Sequence, residues 1–121
     1  MKEEQSGGKA LSEAARAYME AHSAEKFSLE EMACALYVNG SYLLRTFRRN
    51  TGITPLTYHH QLRCARAKEL LARKELTISE VGEAVGFVSS SHFTHVFRKT
   101  EGCTPSEYRR LHLPGDPGEE S

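Results

Sequence analysis

Two stretches of this chain, fifty residues apart, carry closely spaced hydroxyl, guanidinium, imidazole and ammonium side chains. The first set is Ser41, Arg45, Arg48 and Arg49, and the second set is Ser91, His92, His95, Arg98 and Lys99. All of these groups can donate hydrogen bonds, and the arginines keep their positive charge at every physiological pH. A helix that gathers them on one face therefore suits the binding of a polyanion.

The two stretches belong to an internal repeat. Residues 41–60 and 91–110 share seven identities in twenty positions, where ordinary residue usage would give roughly one. Upstream of these stretches the copies align at an offset of 49 instead of 50, so the second copy has one extra residue in its turn. Helical solenoids need about three or more repeats. Two copies joined by a long segment do not fit such an array.

Capping residues predict where the helices of each copy begin and end. Ser28 and Thr77 each open a short helix with a capping box, and Asn39 can cap the next helix of the first copy. Gly52 and Gly102 occupy the C-cap position of the second helix in each copy. In each copy a Thr-Pro pair then begins the next helix, because proline at the first helical position loses no hydrogen bond that the helix could have made. The predicted helices cover about residues 12–22, 28–36, 39–50, 54–73, 77–85, 90–100 and 104–111.

The predicted fold is therefore all-α, with seven helices in two helix-turn-helix subdomains joined by a long linker helix. The first subdomain covers residues 10–53, the linker helix residues 54–74 and the second subdomain residues 75–112. Residues 1–9 and the acidic, Pro/Gly-rich residues 113–121 are predicted to be disordered tails.

The linker helix is apolar on two sides, so we expect it to pack against two bodies. One side carries Tyr58, Leu62 and Ala65, and the other carries Leu56, Ala67, Leu70 and Leu71. The adjacent histidines His59 and His60 are predicted to lie at the surface.

A helical wheel separates an inner and an outer face on the second helix of each copy. With Phe47 at the centre of the inner face, the first set of donors falls within an outward arc of about 100°. With Phe97 at the centre, the second set does the same, with His92 at its edge. A charge run is usually a solvated surface, but these arcs recur, contain no acid and follow a tight turn. In that geometry the first helix braces the second in the major groove of DNA.

The net charge is compatible with DNA binding once the distribution of charged residues along the chain is considered. The 121 residues have a formal net charge of zero, but residues 25–112 hold 13 Lys/Arg against 9 Asp/Glu, a net of +4. No apolar run approaches the length of about 18 residues that spans a bilayer, and the N-terminus has no apolar signal region. The three cysteines form no CxxC pair, which predicts reduced packing residues rather than disulfides or a zinc site.

The pattern IxxxGxxVGFxxxSxFxxxFRKxxGxTPxxYR, from Ile78 to Arg109, resembles the signature of AraC/XylS-type transcription regulators. The first copy resembles their first helix-turn-helix, and the resemblance covers about residues 11–111. It implies a DNA-binding domain that inserts two recognition helices into successive major-groove segments on one side of the duplex. The predicted linker of roughly 28 Å agrees with a separation of about 34 Å between such segments.

The resemblance also implies roles for individual residues. Base contacts fall on Ser41, Leu44, Arg45, Ser91, His92 and His95. Phosphate contacts are expected from Arg48, Arg49, Arg98 and Lys99. Core or turn positions fall on Phe47, Gly86, Phe87, Phe93 and Phe97, whereas Arg63 and Arg109 are expected to pair within the molecule. Three positions depart from the family pattern, namely Leu44, Gly82 and His95.

The expected function is that of a sequence-specific, double-stranded DNA-binding transcription regulator. The expected partners are promoter DNA and RNA polymerase, and the domain is expected to be a monomer in the cytoplasm, at the nucleoid. No catalytic constellation or phosphate-binding loop occurs, so neither an enzyme nor a cofactor is expected. His92 and His95 could share a metal, but zinc needs three or four ligands.

Two questions stay open at this level. The neutral charge and the apolar Leu44 favour a second hypothesis, in which an AraC-like fold serves as a protein-interaction module or adaptor. The chain is either a stand-alone regulator or the C-terminal part of a longer protein with a sensor domain.

Overall fold

The computed structural model describes the backbone of residues 2–112 and the side chains of residues 8–112. This part of the chain forms seven α-helices and no strand, which confirms the predicted all-α fold. The helices are α1 (Lys2–Ala21), α2 (Leu29–Ala35), α3 (Gly40–Thr51), α4 (Pro55–Leu71), α5 (Ile78–Ala84), α6 (Ser90–Glu101) and α7 (Pro105–His112).

The helices form two compact units, and the division falls inside α4. The first unit extends to Leu62 and the second begins at Arg63. Helix α4, predicted as a linker, thus contributes residues to the core of each unit.

The core of the first unit forms between α1, α2, α3 and the first half of α4. Its fully buried members are Ala15, Met19, Met32, Ala33, Leu43 and Phe47. Tyr58 and Leu62 of α4 pack against this cluster, and the rings of Phe47 and Tyr58 lie 5.8 Å apart. One side of α3 is therefore held against the rest of the unit by apolar burial, the dominant favourable term in folding.

The core of the second unit is built around a chain of aromatic rings. Ring centroids are 5.3 Å apart between Phe87 and Phe93 and 5.8 Å apart between Phe93 and Phe97. A further 5.8 Å joins Phe97 to Tyr108 of α7. The other buried members are Cys64, Ala67, Leu70, Leu71, Val81, Val85 and Val96. Phenylalanines at a spacing of four residues thus hold one side of α6 in the core.

The cysteines are free thiols in different surroundings. Cys64 is fully buried, and this burial raises the pKa of its thiol to about 11, so the group stays neutral. Cys34 is exposed and Cys103 is half-buried. The prediction of a packing role is wrong for Cys34, which lies on the solvent side of the short helix α2.

The predicted caps form at the predicted residues, but the capping box is complete at Thr77 and only half formed at Ser28. Thr77 and Glu80 make both bonds of a capping box, and the Ser28 hydroxyl accepts a hydrogen bond from the Glu31 N–H. At the other ends, Gly52 and Gly102 adopt φ values of 83° and 89°. These left-handed conformations cost glycine little. Local sequence therefore determined these helix boundaries.

The capping pair Thr104 and Glu107 opens α7. The Thr104 N–H donates to a Glu107 carboxylate oxygen, and the Glu107 N–H donates to the Thr104 hydroxyl. The first of these bonds holds the pKa of Glu107 below its usual value.

The N-terminal prediction needs correction. Helix α1 begins at Lys2, so a disordered tail is the wrong prediction for residues 2–9. Glycine disfavours a helix by about 1 kcal/mol, but Gly8 is buried against α3. A Cβ at Gly8 would lie 2.9 Å from Asn50 Nδ2, so a larger residue at this position would displace the Asn50 side chain. The predicted tail at residues 113–121 lies outside the described residues.

The buried side of α4 also differs from the prediction. Leu56 and Ala65 were expected to pack but are exposed, whereas His59 was expected at the surface but is only 3% exposed. The buried residues of α4 include a stripe with a period of four residues, made of Pro55, His59, Arg63, Ala67 and Leu71, with Cys64 and Leu70 beside it. Two of its members are polar, which is why hydropathy alone did not reveal it.

Aromatic neighbours explain how two polar side chains of α4 are buried. The His59 ring lies 5.3 Å from the ring of Phe27, within the first unit. In the second unit the Arg63 guanidinium carbon lies 4.9 Å from the centroid of the Phe87 ring. Burial lowers the pKa of Arg63 from its ordinary value, while the ring face attracts the cation. The expectation that Arg63 is engaged within the molecule is confirmed.

Arg109 is also engaged within the molecule, as expected. Its Nε donates to the carbonyl oxygen of Leu71 at 2.9 Å, and its Nη2 donates to that of Arg73 at 3.0 Å. Leu71 is the last residue of α4, where helix geometry leaves carbonyl oxygens without intrahelical donors. Arg73 lies in the turn that follows, and its carbonyl oxygen also accepts from the Leu76 N–H. Arg109 therefore ties α7 to the end of α4.

Gly82 allows a close approach between α5 and α6. A Cβ at this position would lie 2.6 Å from Cδ2 and 2.8 Å from Cγ of the buried Phe93 ring. The matching positions in the first copy hold Ala33 and Leu43, both buried in the first core. A smaller helix residue thus faces a larger core residue in the second unit.

We predict that Gly82→Ala destabilises the protein by about 1–3 kcal/mol, because overpacking outweighs the higher helix propensity of alanine. Phe93→Leu should relieve the clash, so the Gly82→Ala/Phe93→Leu variant should be more stable than the sum of the two single effects. Urea denaturation followed by circular dichroism measures these free energies. Additive effects would contradict the proposed steric pairing.

We predict that Arg109→Ala lowers the free energy of unfolding by about 1–3 kcal/mol, because two carbonyl groups lose a charged donor. Arg110→Ala is the matched control, since Arg110 is the exposed neighbour on the same helix, and should change stability by less than about 0.5 kcal/mol. Equal effects of the two substitutions in a denaturant titration would exclude the capping role.

Candidate nucleic-acid interface

The outward side of α3 is fixed by its caps and its buried side. The Asn39 side chain accepts a hydrogen bond from the Tyr42 N–H at 2.8 Å, which satisfies one of the free donors at the helix start. Leu43, Thr46 and Phe47 are buried. The opposite side exposes what we call the first arc, made of Ser41, Leu44, Arg45, Arg48 and Arg49.

Helix α6 is arranged in the same way. The Ser89 hydroxyl accepts from the His92 N–H at 3.0 Å, and the buried residues are Phe93, Val96 and Phe97. The second arc is exposed and consists of Ser91, His92, His95, Arg98 and Lys99. All ten residues proposed from the sequence as DNA contacts therefore lie at the surface of their own unit.

Acidic side chains do not neutralise the arcs from within these helices. Helix α3 contains no Asp or Glu. The acid of α6, Glu101, forms an ion pair with Lys68 at 3.1 Å and is largely withdrawn from solvent. Basic residues in the last turn also complement the helix dipole, which gives Arg48, Arg49, Arg98 and Lys99 a role in helix stability as well.

The turns before α3 and α6 share one backbone feature. Tyr37 in the first and Gly86 in the second both have positive φ, at 63° and 107°. The second turn then contains one residue more, Val88, as the change of offset indicated. Tyr37 is 95% exposed and Val88 is 98% exposed. Helices of seven and twelve residues flank each turn, so the two copies have helices of the same lengths around turns that differ by one residue.

Contacts within the second unit position the start of α6. The hydroxyl groups of Ser79 and Ser90 lie 2.6 Å apart and join α5 to α6. The His92 ring meets the Phe87 ring edge-on, with 5.3 Å between their centroids. His92 is therefore oriented by packing while remaining exposed. Sequence reasoning identified Phe87 as a core residue but did not identify this contact.

The surface chemistry suits binding by many weak polar contacts. Among residues 8–112, no three His, Cys, Asp or Glu side chains approach one another closely enough to hold a metal ion. Within the described part of the chain, every helix is too short or too polar to cross a bilayer. Each arc presents a row of hydrogen-bond donors on one side of a helix, and the first arc also contains the apolar Leu44.

Known proteins share both the sequence pattern and this fold. A family model described as a helix-turn-helix domain matches residues 32–111. The HTH-type transcriptional regulator YijO of Escherichia coli K12, itself uncharacterized, is 38% identical over 105 residues. That alignment covers 87% of this chain and 37% of YijO. The chain spans about a third of the length of the curated relatives it matches.

Solved structures agree with this assignment. The C-terminal domain of AraT, a response regulator from Geobacillus stearothermophilus, superposes with a TM-score of 0.81 at 32% identity, covering 88% of each chain. The DNA-binding domain of AdpA, a global transcriptional factor solved in complex with a target DNA, gives a TM-score of 0.75 at 30% identity. That match covers 84% of this chain and 91% of the AdpA domain. With two matched helix-turn-helix units, this chain belongs to the AraC/XylS family of helix-turn-helix proteins.

Proposed function

We propose that this chain binds double-stranded DNA sequence-specifically and acts in transcription regulation. The observation that carries the proposal is the pair of exposed, acid-free arcs on α3 and α6. Each arc lies on the second helix of a helix-turn-helix unit, and the opposite side of that helix is buried in the core. Side chains on a helix held in this way can reach base edges in a major groove.

The residues of the arcs divide by chemistry into two groups. Hydroxyl, guanidinium and imidazole groups near the helix starts and centres would contact base edges, where arginine prefers guanine O6 and N7. Cations in the last turn would contact phosphates, together with the N–H groups at the helix starts. The base-contacting group is Ser41, Leu44, Arg45, Ser91, His92 and His95. The phosphate-contacting group is Arg48, Arg49, Arg98 and Lys99.

The two recognition helices enter successive major-groove segments on one side of the duplex, and one copy of the domain provides both. The AdpA domain, which shares this fold, has been solved with a target DNA, and this supports the proposal. According to this proposal, the chain contacts promoter DNA as a monomer and acts at the cytoplasmic nucleoid with RNA polymerase. Its role is binding rather than catalysis.

A protein-interaction module is the second candidate function. The zero net charge of the whole chain and the exposed apolar side chains of Tyr37, Leu44 and Val88 favour it. Such a module needs no phosphate contacts. The dependence of DNA affinity on salt therefore separates the two candidates.

We expect the logarithm of the DNA association constant to fall with the logarithm of salt concentration, with a slope of about −0.9 per phosphate contact. Four contacting cations predict a slope of about −4. Gel-shift titrations over a salt series, on duplexes selected from a random pool, measure this slope. Absence of binding to any duplex, or a flat salt response, would favour the interaction module.

Substitution of single arginines should separate the two kinds of contact. Arg45→Ala should cost about 1–3 kcal/mol at one base position and relax specificity there. Arg49→Ala should weaken binding to all sequences alike and reduce the salt slope by about 1. Affinities for the selected duplex and for random DNA provide the measurement.

Arg66→Ala is a suitable control for both substitutions. Arg66 is an exposed arginine of α4 outside the arcs, and it pairs with Glu69 at 2.7 Å. Its loss should change affinity little. Equal losses on selected and random DNA would remove Arg45 from the base-contacting group.

A further inference from the structure

We propose that Leu44 recognises a thymine by packing against its C5-methyl group in the major groove. This inference rests on the proposed function, in which α3 enters the groove, and it deepens that function by naming the base. Leu44 is an apolar residue at the edge of the first arc, among side chains that all donate hydrogen bonds.

The position of Leu44 is a consequence of how α3 is packed. Leu43 is completely buried and fills the core with Phe47, whereas the next residue, Leu44, is 37% exposed. Isolated exposed leucines are common on protein surfaces. This one, however, lies three residues after Ser41 and four residues before Arg48, and such spacings place side chains on the same side of a helix. A helix that brings Ser41 and Arg48 to DNA brings Leu44 with them.

An aliphatic side chain in the major groove needs an apolar group on a base edge to pack against. Base edges in the major groove present hydrogen-bond donors and acceptors, and their apolar group is the C5-methyl of thymine. Leucine can neither donate nor accept, so against another base edge it would displace water from a polar group without replacing the hydrogen bond. Leu44 therefore favours thymine by apolar contact and disfavours the other bases by desolvation.

The second copy provides an internal comparison. The residue that matches Leu44 in the repeat is Thr94, which is half-buried. The second arc thus has no exposed leucine at this position. A leucine contact with a thymine methyl group through this position should therefore be confined to the segment of DNA that α3 contacts.

The test uses the full chain and a duplex selected from a random pool. Each thymine is replaced singly by deoxyuridine, which removes the methyl group and leaves base pairing unchanged. Wild-type protein should lose about fourfold in affinity at one thymine, the effect of exposing one buried apolar carbon. Leu44→Ala should bind the thymine and deoxyuridine duplexes equally at that position.

Leu56→Ala is the matched control, because Leu56 is a leucine of similar exposure on α4, at 44% against 37% for Leu44. It should keep the fourfold preference for thymine. The inference is overturned if no single deoxyuridine weakens wild-type binding, or if Leu44→Ala retains the same preference. A chain that binds the selected duplex in a salt-dependent manner but shows either result would still have the proposed function. Failure to bind any duplex would overturn both.

Discussion

Burial of one side of each recognition helix is the constraint on which the rest of this structure depends. Phe47 in α3 and the pair Phe93 and Phe97 in α6 have no solvent exposure. Because these residues are fixed in the cores, the rotation of each helix about its axis is fixed too. The residues on the opposite side are then exposed whatever their chemistry. Substitutions on that outward side need not disturb the fold, since an exposed position contributes little to core packing.

The two copies solve the same packing problem with different residues. In the first unit Ala33 and Leu43 occupy the positions that Gly82 and Phe93 occupy in the second. In the second unit the residue on the first helix is smaller, and the residue on the second helix is larger, than its counterpart in the first unit. A core can exchange residues in this way and stay close-packed. The outward arcs have diverged as well, with three arginines and a leucine on α3 against histidines, an arginine and a lysine on α6. A shared scaffold therefore presents two different surfaces.

Polar side chains also have structural roles on the helix that joins the copies. Arg63 is buried against the Phe87 ring, and Phe87 in turn contacts His92 at the start of α6. Arg109 binds the carbonyl groups of Leu71 at the end of α4 and of Arg73 in the following turn. A count of basic residues would assign these arginines to a DNA surface, but their contacts keep them within the protein. Positive charge and DNA contact are therefore separate questions for each residue.

Sequence by itself determined the features that depend on neighbouring residues: the seven helices apart from the start of α1, their caps at Ser28, Asn39 and Thr77, the glycine stops, and the outward direction of both arcs. These follow from hydrogen bonds within one turn and from a repeat every 3.6 residues. Tertiary structure alone decided what depends on residues distant in the chain. Phe27 covers His59, the Asn50 side chain lies against Gly8, and the Phe93 ring excludes a side chain at position 82. Burial of a polar residue, or the need for a glycine, is set by which atoms the fold brings within van der Waals contact. Hydropathy along the chain carries no information about those atoms.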